Sequence, residues 1–88
     1  YMESRRRVIH LFGRNGEEYR FYKKMKDLLE EISHTGNMFI RVHCSYVVNY
    51  YYIKSLSSTE TELLTGEKLP VSGEYKNEAL KKFMGMME

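Results

Sequence analysis

The chain has 88 residues, of which 42% are hydrophobic and 30% charged, a composition typical of a folded chain with a single hydrophobic core. It has no run of the roughly 18 apolar residues that a membrane span needs, and it opens with no signal-peptide pattern. The only cysteine, Cys44, excludes an internal disulfide framework and fits a reducing cytoplasm. We therefore expect one cytoplasmic domain.

The net charge of +2 is unevenly distributed along the chain. Residues 1–24 hold seven basic side chains against three acidic ones, whereas residues 25–88 hold seven against nine. Positive charge gathered at one end gives the electric field of the domain a direction. On charge alone the partner could be nucleic acid, anionic lipid or an acidic protein, and an ordinary solvated charge run explains the pattern equally well.

The first 22 residues predict a β-hairpin. Residues 7–12 are rich in β-branched and aromatic side chains, and within residues 17–22 Tyr19 and Phe21 alternate with other residues. Asn15 and Gly16 stand between the two runs, and both tolerate the positive φ of a tight turn.

Residues 23–35 change to a helical period. Met25, Leu28, Leu29 and Ile32 fall at i, i+3, i+4 and i+7, so they share one face of a helix. Gly36 is expected to end the helix, because glycine readily adopts the left-handed conformation found after a helix C-terminus. We expect one short amphipathic helix here.

The next part of the chain returns to strand character. Residues 38–48 predict a strand with Phe39, Val42 and residues 46–48 as candidate core, followed by an irregular connector that contains three tyrosines. Three further short strands are predicted, over residues 53–56, 62–65 and 67–71. Gly66 marks a turn between the last two, and because Pro70 lacks an N–H, the last strand should lie at a sheet edge or end there.

A final helix is predicted after Ser72, which is a suitable N-cap, with Glu74 in its first turn. Its apolar face is made of Tyr75, Ala79, Leu80, Phe83 and Met84. Because short strands dominate the whole pattern, the predicted fold class is mainly β.

Patterns that indicate catalysis or metal binding are scarce. His10, His34, His43 and Cys44 do not follow a zinc-ligand spacing, and no glycine-rich phosphate loop is present. In a continuous strand His43 and Cys44 would point to opposite faces and could not pair as base and nucleophile. Spacing alone favours a strand histidine bonded to neighbouring backbone. We predict a protein that is not an enzyme and needs no metal or cofactor.

The most direct nucleic-acid signal is the run Arg5, Arg6 and Arg7. Side chains alternate faces along a strand, so all three reach the same phosphates only if the run is a loop. The tyrosines could also stack on bases, although clustered tyrosines in small β domains are more often half-buried core.

Residues 39–49, with the sequence FIRVHCSYVVN, resemble the signature F-x-R-x-H-R-S-[YF]-x-V-N of the LytTR family of DNA-binding domains. The helix that begins near Met25 is similar to the family's helix, and residues 65–75, TGEKLPVSGEY, are similar to its closing motif G-x-x-[LI]-P-V-S-R-x-Y. The resemblance covers residues 1–88 as one LytTR-like domain, with the motifs in the family's order.

This resemblance implies an elongated stack of small antiparallel sheets with one amphipathic helix and a C-terminal helix. It further implies the output domain of a bacterial response regulator, which inserts loops into the major grooves of double-stranded promoter DNA. Such domains bind direct repeats in pairs and follow a receiver domain. Because the chain begins at Tyr1, and residues 1–4 look like the end of the family's first strand, we expect an upstream piece.

The resemblance carries three DNA-facing positions onto this chain. The first is the segment after the opening strand, residues 4–7, whose arginines suit guanine edges or phosphates. The second follows the motif histidine and is usually Arg or Asn, but here it is Cys44. The third follows Pro-Val-Ser and is usually Arg, but here it is Gly73. The predicted contact residues are therefore the following: Arg5, Arg6, Arg7, Arg41, His43, Cys44, Gly73, Lys76 and Asn77.

Arg41, Lys76 and Asn77 are included because they could replace the two missing donors. His43 and Ser45 are expected to orient the loop, and Asn49 to lock the turn. The missing donors also motivate an alternative, a protein-interaction or dimerisation module that has lost its base-reading residues. A third reading, single-strand or RNA binding through the tyrosines, predicts a strong preference for unpaired substrate.

Overall fold

Among the residues that the structure describes, eight strands are divided between two antiparallel sheets. The computed structural model describes residues 1–6, 8–13, 16–32 and 38–86. A five-stranded sheet has the order β3-β2-β1-β5-β4, and a three-stranded sheet has the order β6-β7-β8. The first sheet contains β1 (Met2–Arg5), β2 (Val8–Phe12), β3 (Glu18–Tyr22), β4 (Phe39–His43) and β5 (Tyr46–Asn49). The second contains β6 (Ile53–Leu56), β7 (Glu60–Leu63) and β8 (Lys68–Pro70), and the helices are α1 (Met25–Ile32) and α2 (Lys76–Met86).

The expectation of a single hydrophobic core is wrong, because the described residues form two cores, one on each face of the five-stranded sheet. On one face α1 buries Met25 and Leu28 against Ile9 and Val47 of the sheet. On the other face a second core joins the five-stranded sheet to the three-stranded sheet and α2; its buried members are Ile40, Val42, Val48, Ile53, Leu63, Leu69, Val71 and Ala79. The mainly β architecture with two helices is therefore confirmed, and its longest dimension is 32 Å against 25 Å in the other two directions.

The hairpin and the amphipathic helix follow the predicted pattern. β2 and β3 pair antiparallel from Val8–Tyr22 to Phe12–Glu18, and Gly16 adopts a φ of 85°. Tyr19, however, is exposed, because α1 covers the sheet only as far as Phe21 and Leu11. Asn15 and Gly36, on which parts of these predictions rest, lie outside the described residues.

The predicted single strand over residues 38–48 is wrong in one respect. The chain turns back at Cys44 and Ser45, so the segment forms β4 and β5 of one hairpin, with a register shift between Arg41 and His43. The signal was weak because strand-type residues flank the turn on both sides, and the turn is stabilised by a side chain rather than by glycine.

The three-stranded sheet also differs in detail from the prediction. β7 covers Glu60–Leu63 rather than residues 62–65. Its start is set by Ser57, whose Oγ accepts from the backbone N–H groups of Thr59 and Glu60. Its end is set by the turn in which Gly66 N–H donates to Leu63 O. β8 ends at Pro70 on the sheet edge, as predicted.

The start of α2 corrects the capping prediction. Ser72 Oγ is buried without a hydrogen-bond partner among the described residues. The backbone carbonyl of Ser72 instead accepts from Tyr75 N–H and Lys76 N–H. The helix therefore begins at Lys76, and its first-turn acid is Glu78 rather than Glu74.

The apolar face of α2 also differs from the prediction at one position. Ala79 is buried and Phe83 and Met86 pack on the core, whereas Met84 is 63% exposed. Ala79, Phe83 and Met86 fall at i, i+4 and i+7 and share the helix face that lies on the core, whereas Met84 lies outside that face.

Candidate nucleic-acid interface

Two turns of the five-stranded sheet lie side by side. β1 pairs antiparallel with β5, which sets Glu3 opposite Tyr46. One residue further on, Ser4 N–H donates to Ser45 O at 2.8 Å. The β1–β2 connection, which follows Arg5, and the β4–β5 turn at Cys44 and Ser45 therefore lie at the same end of the sheet.

The segment after β8 joins the same end. Ser72 N–H donates to Val42 O at 2.9 Å, which fixes this segment beside the end of β4. Arg41 then connects it to the β4–β5 turn, because the guanidinium contacts both Cys44 and Tyr75. We name this end of the five-stranded sheet the turn end; it contains the β1–β2 connection, the β4–β5 turn and residues 72–77.

Arg5 is held by an ion pair within its own strand. Its Nη2 donates to Glu3 Oε1 at 2.6 Å, and Tyr46 Oη donates to the other carboxylate oxygen at 3.2 Å. The hydrogen bond from Arg5 keeps the pKa of Glu3 below its usual value. Burial, together with the Glu3 carboxylate, raises the pKa of Tyr46. Arg5 is thus positioned at the sheet surface, and Glu3 offsets part of its charge.

Arg6 occupies the turn itself. Arg5 pairs with Val8, so Arg6 lies in the connection between β1 and β2. Arg6 is exposed and has a φ of 48°, in the left-handed region that disfavours a residue with a Cβ. Of the arginine run, Arg5 therefore lies at a strand end and Arg6 in a turn. Arg7 lies outside the described residues.

His43 stabilises the β4–β5 turn, as the spacing and the family resemblance predicted. Ser45 N–H donates to His43 Nδ1 at 3.0 Å, and the His43 ring meets the Tyr46 ring edge-on at a centroid distance of 5.5 Å. A neutral imidazole that accepts at Nδ1 carries its proton on Nε2. This turn therefore keeps the Nε2–H of His43 as a hydrogen-bond donor.

Cys44 does not point away from His43. Because β4 ends at His43 and the chain turns, Cys44 Sγ lies 3.5 Å from His43 Nδ1 and 3.8 Å from Ser45 Oγ. The expectation that the two side chains lie on opposite faces is wrong, since it assumed a strand through Cys44. The thiol is exposed at the tip of the turn.

Asn49 terminates the same hairpin at its other end. Its Oδ1 accepts from Tyr51 N–H at 2.9 Å and begins the 3-10 turn Tyr50–Tyr52. This agrees with the turn-locking role that the family resemblance implied.

Arg41 stabilises the turn end through two contacts. Its Nη2 donates to Cys44 O at 2.9 Å, and its guanidinium carbon lies 4.7 Å from the centroid of the Tyr75 ring. Its Nε is buried without a hydrogen-bond partner in the part of the chain that the structure describes. Arg41 therefore connects the β4–β5 turn to the start of α2.

The third segment offers an open surface. A Cβ added at Gly73 would meet no atom within 4 Å, and the backbone there is not in the positive-φ region. Lys76 and Asn77 are exposed in the first turn of α2. Glu74 is exposed beside them and opposes a negatively charged ligand.

Comparison with known proteins agrees with this geometry. Residues 1–84 match the family described as the LytTr DNA-binding domain. The chain belongs to the LytTR family. A LytTr DNA-binding domain of a protein described as a methyl-accepting/DNA response regulator from Bacillus cereus has a similar structure, with a TM-score of 0.73 and 25% sequence identity. The match covers 96% of this chain and 78% of that one. No curated protein sequence matches the chain.

This LytTR domain leaves cations at the turn end, and one just after β3, without a carboxylate partner. Arg6, Lys24 and Lys76 form no ion pair with any other described residue. Among the described residues, the arginine and lysine side chains that do form ion pairs with a carboxylate are Arg5, Arg20, Lys23, Lys54 and Lys68. Unpaired positive charge is thus available beside the turns.

Sequence reasoning missed the residues that hold this LytTR surface in place. Glu3 and Tyr46 position Arg5, and Tyr75 supports Arg41. The spacing of Glu3 and Arg5 was a usable signal, because residues i and i+2 of a strand share a face. The contacts of Tyr46 and Tyr75 depend on partners 43 and 34 residues away and leave no local pattern.

Other site classes find no support in the described ranges. Among these residues no group of three or more His, Cys, Asp or Glu side chains could hold a metal ion. None of the described helices has the length and hydropathy needed to cross a membrane.

Proposed function

We propose that this LytTR domain binds double-stranded DNA sequence-selectively, as the output domain of a bacterial transcription regulator. The observation that carries the proposal is the convergence of three segments at the turn end. The bonds from Ser4 to Ser45 and from Ser72 to Val42 connect them. Basic side chains without carboxylate partners lie on two of the three segments, at Arg6 and Lys76.

The dimensions of the turn end suit a duplex. The five strands that end there are separated by four inter-strand spacings, so the end is about 19 Å wide. This exceeds the roughly 12 Å width of a major groove. A turn that enters the groove is therefore flanked by segments that reach the phosphate backbone on either side. Arg6 and the Nε2–H of His43 are the donors we assign to base edges or phosphates.

The remaining predicted contacts are assigned to the same surface. Arg5 and Arg7 flank Arg6, while Lys76 and Asn77 serve the third segment. Cys44 and Gly73 occupy contact positions without supplying a charged donor, so we expect a sequence preference that differs from that of typical members. Arg41 contributes to DNA binding indirectly, because it stabilises the β4–β5 turn.

The wider setting is also part of the proposal. We infer that the domain follows a receiver or other regulatory domain, acts in the cytoplasm, and binds promoter direct repeats as a pair. The family supports a binding role rather than a catalytic one, and it does not favour the alternative of a protein-interaction module.

Fluorescence anisotropy of the domain on duplex promoter fragments from its own genome tests the proposal. We expect the affinity to fall with salt, with a log–log slope of about −0.9 for each phosphate neutralised. Arg6→Ala should weaken binding and reduce that slope by about one contact. Lys54→Ala, which removes a cation paired with Glu62 on the other sheet, is the matched control and should leave both unchanged. Weak, salt-independent binding to every fragment would contradict the proposal.

A further inference from the structure

Tyr22 extends the turn end beyond the β1–β2 connection. Val8 pairs with Arg5 on one side and with Tyr22 on the other. The three residues form one row across β1, β2 and β3 at the end of the sheet. Because the row spans two inter-strand spacings, Tyr22 lies about 10 Å from Arg5 along it.

The Tyr22 side chain contributes little to the fold. It is 88% exposed, more than any other large hydrophobic side chain described. Its neighbour Phe21, by contrast, packs on the core beneath α1. Within the described residues the Tyr22 ring contacts no other aromatic ring and its hydroxyl has no hydrogen-bond partner. A side chain so placed is available to a ligand.

Lys24 adds a free cation next to this tyrosine. Lys23 forms an ion pair with Glu31 of α1, whereas Lys24 is exposed and has no carboxylate partner in the described part of the chain. The first turn of α1 carries Asp27, which offsets the positive end of the helix dipole. The charge offered to a ligand here is therefore that of the Lys24 side chain.

We infer that Tyr22 and Lys24 form an additional contact site for the phosphodiester backbone. The site lies on the side of the β1–β2 connection opposite to the β4–β5 turn, because β3 and β5 lie on opposite sides of the β1–β2 pair. The Lys24 ammonium pairs with a phosphate, and the Tyr22 hydroxyl donates to a phosphate oxygen while its ring covers the sugar. This inference rests on the proposed function.

The test measures duplex binding by anisotropy across salt for Tyr22→Ala, Tyr22→Phe and Lys24→Ala. We expect Tyr22→Ala to weaken binding about fivefold, with Tyr22→Phe recovering only part of the loss because it restores the ring without the hydroxyl. Lys24→Ala should reduce the magnitude of the salt slope by about 0.9. Sequence preference should stay unchanged, because backbone contacts read no bases.

The matched controls are Tyr51→Ala and Lys54→Ala. Tyr51 is 65% exposed and lies just beyond Asn49, at the opposite end of the sheet. Losses confined to the Tyr22 and Lys24 variants, at unchanged thermal stability, would support the inference. If the wild-type domain binds DNA and the Tyr22 and Lys24 variants bind it with the same affinity and the same salt slope, the inference is overturned and the proposed function stands. Failure of the wild-type domain to bind any duplex would overturn both.

Discussion

The guanidinium of Arg41 lies over the ring of Tyr75, with its central carbon 4.7 Å from the ring centroid. Since the same group donates to Cys44 O, one side chain from β4 stabilises both the β4–β5 turn and the approach to α2. Arginine suits this position because its planar fork stacks on a ring and donates at its edge at the same time.

Replacement of Arg41 by Lys should destabilise the domain, because an ammonium cannot stack and donate in this geometry. We expect a loss of about 1 kcal/mol in the free energy of unfolding. Tyr75→Leu should cost less in the Arg41→Lys background than in the wild type, with a coupling of about 0.5 to 1 kcal/mol. Urea denaturation of the four proteins in this double-mutant cycle measures it. Strict additivity would show that the stacked pair contributes nothing.

Arg6→Gly should raise the stability of the domain and weaken its binding to DNA. Glycine adopts a φ of 48° without the Cβ penalty, which is about 1 kcal/mol for other residues. We expect the melting temperature to rise by about 4 °C, the low end of the roughly 4 to 8 °C that 1 kcal/mol gives for a domain of this size, because the greater entropy of glycine in the unfolded chain offsets part of the gain. DNA affinity should fall about fivefold or more because a donor is lost. Arg6→Ala is the comparison, as it removes the donor but keeps the Cβ. A glycine variant that binds DNA as well as the wild type would remove Arg6 from the interface.

Arginine at the two substituted family positions should strengthen DNA binding. Cys44 is exposed at the tip of its turn, and Gly73 has open space where a Cβ would stand, so both sites accept the side chain. We expect Cys44→Arg and Gly73→Arg each to steepen the log–log salt slope by about 0.9 and to tighten binding. Cys44→Ser and Gly73→Ala keep the size small and should not. Unchanged salt slopes in the arginine variants would mean that these positions face away from DNA.

Because of the Glu3–Arg5 ion pair, we expect the folded domain to lose stability in acid. Hydrogen bonding to Arg5 lowers the folded-state pKa of Glu3 below its usual 4.5. At a pH between the folded-state pKa of Glu3 and its usual value of 4.5, the unfolded chain binds more protons than the folded one. The stability of the domain therefore falls as the pH falls. The contribution is complete above about pH 4.5 and disappears as the pH falls through the folded-state pKa.

Glu3→Gln tests this pH dependence. Urea titrations between pH 6 and pH 3 should give a shallower pH dependence than in the wild type. Part of the dependence should remain, because hydrogen bonds from His10 and Arg20 also lower the pKa of Glu18. An identical dependence in the two proteins would show that Glu3 titrates normally.

Local patterns in the chain predicted most of the elements. The helical spacing of Met25, Leu28, Leu29 and Ile32 required a face to be buried, and that face lies on the sheet. Alternation placed β2 and β3, and the missing N–H of Pro70 placed the end of β8 at a sheet edge. These predictions succeeded because periodicity and turn chemistry act between near neighbours along the chain.

Predictions at the element ends were less accurate. The turn at Cys44 and Ser45 depends on a bond between His43 Nδ1 and Ser45 N–H, and strand-type residues surround it on both sides. Ser72 reads as a helix cap, yet its N–H pairs with Val42 and its hydroxyl is buried. In both places a hydrogen bond to a side chain or to a distant strand determines the local structure, and the neighbouring sequence does not indicate it.

The sequence by itself determined the strand and helix periods, the basic character of the first 24 residues and the motifs that mark the LytTR family. The tertiary structure alone decided which side chains meet. Pairing of β1 with β5 brings Ser4 next to Ser45, and packing of α2 on β4 brings Tyr75 under Arg41. Such contacts join residues more than 30 positions apart, and the free energy that selects them comes from burial and hydrogen bonding across the whole domain. No short window of sequence contains both partners.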